Sequence, residues 1–448
     1  MPARVIIVLA LLLSQSLVMH AATVVANIAA GYYHSLFLKS DGSLWAAGGN
    51  FEAQLGNGTL NDTNTPQLIV SNGVSGISGG LYHSTFIKSD GSLWAMGLNN
   101  YGQIGDGSTN FYVYRPVQII SSGVKAVSAG WLYNLILKTD GSLWAFGNND
   151  HGQLGDGTLT ATNLPKQIVP NEVVAISAGA WHSMFVKSDG SLWGMGWNPA
   201  GELGDGTTND AYLPKQIIPN GVVAVVSGGL HTLFIKSDGS LWGMGGNAQG
   251  QLGIGTFLKT NTPQLIAPNG IVMAAAGANH SLLIKSDGSI WSMGRNDYGQ
   301  LGIGTTLNTN LPQQILSSGG IAVAAVGLHS LFLTTNGVAW AMGNHSNGQL
   351  GDGFTNGISM VPGQTMPMPL PVLTVFLLNK TNLQINAACN FGGKFLLMAG
   401  TNLALPLDQW STVTNKTIKN RTNNLFKVAL TNSVDSGTPQ RFYILRSQ

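Results

Sequence analysis

Gly80-Leu81-Tyr82-His83-Ser84-Thr85-Phe86-Ile87-Lys88-Ser89-Asp90-Gly91-Ser92-Leu93-Trp94-Ala95-Met96-Gly97 is one copy of a text that this chain repeats seven times. Its tryptophan recurs as Trp45, Trp94, Trp144, Trp193, Trp242, Trp291 and Trp340, at intervals of 49 or 50 residues. The copy continues through Asn99 to Gly102-Gln103-Ile104-Gly105-Asp106-Gly107. A fixed period of this size signals repeat architecture and outranks any local reading. Ser84–Lys88 and Leu93–Met96 are rich in strand formers, and Ser89-Asp90-Gly91 between them is hairpin chemistry, with glycine free to take a positive φ. Two further strands fit each copy, one after the proline, as in Pro263-Gln264-Leu265-Ile266, and one like Val222-Val223-Ala224-Val225-Val226. No amphipathic helical pattern competes. Four strands repeated radially make a propeller blade, so the expected fold is an all-β, seven-bladed β-propeller.

The ends of the array carry their own expectation. The last copy runs through Gly351-Asp352-Gly353 to Pro362 with no valine-rich segment after it, whereas Val24–Gly31 aligns with Gly221–Gly228. Val24–Ile28 is therefore expected to complete the seventh blade, so that an N-terminal strand closes the ring and removes its exposed edges.

Outside the repeat, residues 1–22 read as a secretory signal peptide: Arg4, the apolar run Val5–Leu13, then small residues at Ala21-Ala22. A membrane anchor is the alternative, and no other stretch reaches the ~20 apolar residues of a spanning helix. The mature chain is thus expected to be secreted, periplasmic or held at the cell surface, without a membrane span, and monomeric. Pro362, Pro367, Pro369 and Pro371 mark a stiff linker over 361–371 between a propeller at 23–366 and a C-terminal part at 367–448. Strand-like runs at Val372–Leu378, Leu383–Ala387, Lys394–Met398, Leu425–Leu430 and Arg441–Leu445 make that part a small β-sandwich-like module, a sorting tail or a cap.

Composition narrows function. Charged residues are 9% of the chain and the formal charge is +2, without a basic run, which argues against nucleic acid as a partner. Cys389 is the single cysteine, so there is no internal disulfide and no thiol metal cluster. His-Glu-x-x-His and Gly-x-x-x-x-Gly-Lys patterns are missing, and neither an enzyme nor a cofactor is expected.

The recurring Gly-x-x-His-Ser, Asp-Gly-Ser-Leu-Trp and Gly-Gln-Leu-Gly-Asp-Gly wording resembles the regulator of chromosome condensation repeat, most of all its compact bacterial version. The likeness covers about residues 24 to 366 and implies seven blades. In the eukaryotic relative, a propeller face and chromatin-binding segments act on a nuclear GTPase. An exported chain without a basic tail does not fit that role, so guanine-nucleotide exchange stands as an alternative, alongside a carbohydrate-active or lyase propeller.

Six copies share a histidine, namely His34, His83, His182, His231, His280 and His329, with Tyr133 in the third. A ring of imidazoles suggests either metal or a repeated structural hydrogen bond. Equivalent atoms lie far apart around a wheel while zinc needs its ligands within ~2.0–2.3 Å of one point, so no metal is expected. The Gly-Asp-Gly turns lack the longer calcium pattern. Lys/Asp pairs such as Lys39 with Asp41 read as solvated charges, and the repeated tryptophans as packing between blades. Function should lie where the copies differ. The two residues before each histidine, or before Tyr133 in the third copy, include an aromatic in the first four blades (Tyr32, Tyr33, Tyr82, Trp131, Trp181) and none in the rest. A second variable set is Phe51, Tyr101, His151, Trp197 and Tyr298. Tyr32, Tyr33, Tyr82, Trp131, Trp181, Tyr101 and Trp197 are the candidate contact residues of a binding scaffold for a protein or polysaccharide partner. Aromatic filler beneath the loops is the alternative.

Overall fold

The computed structural model describes residues 24–365, except Thr109 and Asn356, and six strands between Val372 and Ser447. The signal-peptide expectation and Cys389 lie outside the described residues. Blade 1 is an antiparallel meander of β1 (Val25–Ala30), β2 (His34–Lys39), β3 (Leu44–Gly48) and β4 (Thr63–Val70). Six further four-stranded sheets repeat it, opening with Val74–Gly79, Val124–Ala129, Val173–Ala178, Val222–Ser227, Ile271–Ala276 and Gly320–Ala325. The chain is a seven-bladed, all-β propeller.

Burial explains the strand assignments. In β2 every residue but Lys39 is buried, because blades cover this strand from both sides, whereas β4 at the rim is half-buried or exposed at all but one residue. Leu36, Leu38 and Leu44 of blade 1 pack with Val74, Phe86 and Met96 of blade 2. The leucine of Gly-Gln-Leu-Gly, Leu55 here, is fully buried in the same cluster. The core therefore lies between blades, with no single centre.

The Asp-Gly hairpins have a sharper logic than turn propensity. Asp41 Oδ1 accepts the Ser43 N–H and hydroxyl at 2.9 and 2.6 Å. Gly42 has φ 77°, and a Cβ on it would lie 2.8 Å from the Gly73 nitrogen of the next blade. Glycine is thus required by conformation and by close approach together. The expectation that the hairpin lysines are merely solvated is corrected. Lys39 Nζ lies 4.1 Å above the Trp45 ring, and five more blades repeat the contact at 3.9 to 5.0 Å. Such cation–π contacts contribute ~0.5–1 kcal/mol each at exposed sites. The Trp45 indole N–H donates to Ser43 Oγ at 3.0 Å.

Ring closure also differs from expectation. Val24–Ile28 does not complete the seventh blade: β1 pairs with β2, Ile28 opposite Phe37, inside blade 1. The seventh blade has its own fourth strand, Ile358–Gln364, paired to Ala339–Asn344. Val361–Gln364 read as linker because of Pro362, yet proline is tolerated on an edge strand, where its missing N–H faces outward. The N-terminal strand closes the ring by packing its face instead. Val25, Ile28 and Ala30 pack with Leu331, Leu333 and Ala341 of blade 7, and the Val25 N–H donates to the Gly337 carbonyl.

The C-terminal strands form two three-stranded antiparallel sheets, Val372–Asn379 with Asn382–Ala388 and Leu425–Leu430, and Ser411–Thr417 with Lys394–Gly400 and Phe442–Ser447. Ser411–Thr417, with three threonines and no apolar run, is the strand that sequence reading missed.

Candidate functional site: an aromatic arc on one face

In a meander, the β1–β2 and β3–β4 connections leave one end of a blade and the Asp-Gly hairpin leaves the other. The variable aromatics and the Gly-Gln-Leu-Gly loops therefore share a face.

Beneath that face the histidines form a belt. His34 Nε2 meets Ser84 Oγ of the next blade at 2.7 Å, and that hydroxyl donates to the Gln54 carbonyl at 2.7 Å. A hydroxyl has one proton, so Ser84 accepts from the imidazole, which fixes Nε2–H as the tautomer. The pattern repeats from His182 to Thr232, His231 to Ser281, His280 to Ser330 and His329 to Ser35. His83 donates to Asn134 Oδ1 at 3.0 Å. In the third blade the Tyr133 hydroxyl donates instead to the His182 carbonyl at 2.5 Å. Burial holds these imidazoles down at about 3, and His83 at about 4, so they are neutral at physiological pH. Gly31 makes room for the fold-over: a Cβ there would sit 2.0 Å from His34 Cε1. The histidines are inter-blade clamps. Among the described residues, no three His, Cys, Asp or Glu side chains gather round one point.

Above the belt the aromatics meet. Tyr82 stacks on Tyr33 at 5.7 Å and 11°, and Phe51 closes a trio with both at 5.5 and 5.6 Å. Tyr33 touches Tyr32 at 4.7 Å, and Tyr32 reaches past blade 2 to Trp131 of blade 3 at 5.8 Å. Trp131 contacts Trp181 at 5.5 Å, and His151 bridges Trp181 and Trp197 at 5.5 and 5.4 Å. Eight rings from four consecutive blades thus form one unbroken arc. Most are half-buried, and Phe51 is exposed. Burial, with Tyr33 adding to it, pushes the Tyr82 hydroxyl up to about 12, so it stays a neutral donor. Phe51 and His151, from the second variable set, belong to the arc. Tyr101 and Tyr298 do not join it; the Arg295 guanidinium covers Tyr298 at 5.4 Å.

The positions matching Tyr32 in blades 4 to 7 are Ala180, Gly229, Ala278 and Gly327, all buried against their neighbours. They leave the axis shallow. A space of about 20 Å³ lined by Gly130, Trp131, Ala180, Gly229 and Val326 has room for little more than a water. The site is a surface, not a pocket.

One residue that sequence reading passed over lies below it. Six blades carry glutamine in Gly-Gln-Leu-Gly and the fourth carries Glu202, fully buried. Its Oε2 accepts the Ala200 N–H at 2.9 Å while Oε1 has no partner. Burial raises this carboxyl to about 7, chiefly by desolvation.

The comparisons agree with this geometry. The sequence pattern of the RCC1-like domain matches residues 12–220. Regulator of chromosome condensation (RCC1) repeats match 238–284 and 287–333, and a second repeat form matches 222–251, 273–300 and 321–349. The chain belongs to the regulator of chromosome condensation repeat family. Among solved structures, Prp20p from Saccharomyces cerevisiae, described with its binding to Gsp1p and histones, is 22% identical, with a TM-score of 0.67 over 74% of this chain and 88% of that one. Human WBSCR16 is 23% identical, with a TM-score of 0.63 over 69% and 87%. At such identities the likeness speaks for the fold alone. No curated protein matches the chain.

Proposed function

We propose that this protein is an exported binding scaffold that takes a protein partner on the aromatic arc of blades 1 to 4. The observation that carries the reading is the continuity of the arc. Packing common to all blades is met by the hairpin tryptophans and the histidine belt, and neither requires rings at positions 32, 33, 82, 131 and 181. Half-buried tyrosine and tryptophan at a shallow surface are the composition of protein hot spots. Steeply inclined rings offer no single flat platform for a sugar chain, which favours protein over polysaccharide. Prp20p, which shares the fold, is described as binding Gsp1p and histones, both of them proteins. No nucleophile, base and acid converge at the arc, so the scaffold is read as non-catalytic.

The test replaces Tyr82, Trp131 and Trp181 with alanine together in the mature protein. Each hot-spot truncation costs ~2 kcal/mol or more, so capture of a partner from the native medium should fall well beyond tenfold at an unchanged melting temperature. Undiminished capture by the folded variant would remove the arc from consideration.

A further inference from the structure

The two ends of the arc are not alike. The Tyr33, Phe51 and Tyr82 end contains a near-parallel stack. At the other end, Trp131 and Trp181 are inclined at 72°, and His151 meets Trp181 at 60° and Trp197 at 44°. Rings inclined to one another give a planar group no shared plane to stack on, whereas a cation needs only one free indole face.

Carboxylates accompany this end. Asp150 adjoins His151 in sequence, is exposed, and accepts from the Asn148 amide at 2.8 Å. Asp210 Oδ1 accepts the Asn198 N–H at 2.9 Å, directly after Trp197. Among the described residues neither has a cationic side chain within 4.0 Å, whereas Asp156 and Asp205 in the same loops are matched by Lys166 and Lys215. Lys259, facing this loop from blade 5, donates to the Pro199 carbonyl at 2.9 Å and acts electrostatically on Glu202, with no ion pair to Asp150 or Asp210 among the described residues. On the opposite face six lysines are matched blade by blade with six hairpin aspartates, so unmatched negative charge is a feature of the arc's side.

Glu202 supplies an independent observation. In blade 5 a Cβ at Gly246 would lie 3.1 Å from Leu230 Cβ and 3.5 Å from Gln251 Nε2. The equivalent blade 4 residues are Trp197, Trp181 and Glu202. Repeat equivalence thus seats the Glu202 carboxyl under the two tryptophans. Where Gln153 and Gln349 donate to Asn148 and Asn344 at 2.6 and 2.7 Å, Glu202 Oε1 has no donor. An acceptor stands unanswered below the rings.

We propose that Trp131, Trp181, His151 and Trp197, with Asp150 and Asp210, form a subsite for a cationic side chain, a lysine or arginine on an exposed segment of the partner. This rests on the arc being the contact surface and adds the chemistry of one end of it. The rings attract the cation through their faces and the two carboxylates steer it, above a buried Glu202 oxygen that has no donor of its own.

Hexa-arginine is the probe, titrated into the full chain with tryptophan fluorescence as the readout and hexaglutamine and hexaglutamate as controls. The expected result is saturable quenching by hexa-arginine alone, at least tenfold weaker in Asp150→Asn/Asp210→Asn. The same loss is expected in Trp197→Ala, while Tyr101→Ala, outside the arc, keeps its affinity. Equal binding of hexaglutamine, or unchanged affinity in the aspartate variant, overturns the proposal. Asp150 is exposed, so Asp150→Asn alone keeps the test open should Trp197→Ala unfold. If hexa-arginine fails while the triple aromatic variant still loses its captured partner, the cationic subsite falls and the arc's role as contact surface stands.

Discussion

Glu202 shows how far one residue can depart from a repeat without disturbing it. In the other blades this position is a neutral amide, and burial keeps Glu202 neutral as well, up to about 7. A carboxyl whose folded value lies above its ordinary one contributes stability fully below about 4.5, and that contribution is lost as pH rises through about 7. The wild type should therefore weaken between those limits by at most roughly 3 kcal/mol, the free energy of moving the group between the two values. Glu202→Gln cannot ionise. Its urea midpoint should match or fall slightly below wild type at pH 4.5 and exceed it at pH 8, a crossing that equal midpoints at both values would contradict. At this scale the sequence was partly legible. The break in Gly-Gln-Leu-Gly is visible in the text, but burial and the orphaned oxygen are not, because they depend on which side chains the neighbouring loop places overhead. The histidines were legible for the opposite reason: six equivalent positions on a wheel cannot converge, so a repeated clamp was the better reading before any distance was known.

Among the elements, the Asp-Gly hairpin is the most regular and the seventh copy is its natural variant. There Thr334, Asn336 and Val338 replace the lysine, aspartate and serine. Asn336 still caps the turn, accepting the Val338 N–H at 3.2 Å, but the Trp340 indole N–H is left buried without an acceptor. Elsewhere that N–H donates to the serine at 2.8 to 3.0 Å. Leaving a buried donor unpaired costs ~1–3 kcal/mol. Val338→Ser should therefore raise stability by about 1 kcal/mol in urea unfolding, since half-buried Val338 gives up only modest packing. A neutral or destabilising result would mean that the serine's role is in the turn alone. The hairpins were readable because Asp-Gly chemistry is local. Ile358–Gln364 was not, since Pro362 argues against a strand until the fold places that strand on the rim, where a missing N–H costs nothing.

For the whole molecule, the seam between blades 7 and 1 is built like the seam between blades 1 and 2 and most of the others. Gly337 receives the Val25 N–H as Gly42 receives that of Val74 and Gly91 that of Val124, and His329 clamps Ser35 as His34 clamps Ser84. No blade is assembled from both ends of the chain, so closure depends on repeated face packing and not on strand exchange. The two ends of the propeller also anchor to the same hairpin, Val25 on Gly337 and Thr365 on Ala339. A ring with equivalent seams should be indifferent to where its chain is cut. Joining Thr365 to Val24 through a flexible Gly-Ser linker and opening the exposed turn between Ser71 and Asn72 keeps all seven blades contiguous. Such a permutant of the propeller should fold with a melting temperature within a few degrees of the unpermuted propeller. Cutting inside blade 1, between β2 and β3, makes that blade depend on both termini and should cost far more. If the two cuts proved equally harmful, closure would require a contact at the 7–1 seam that the other six lack.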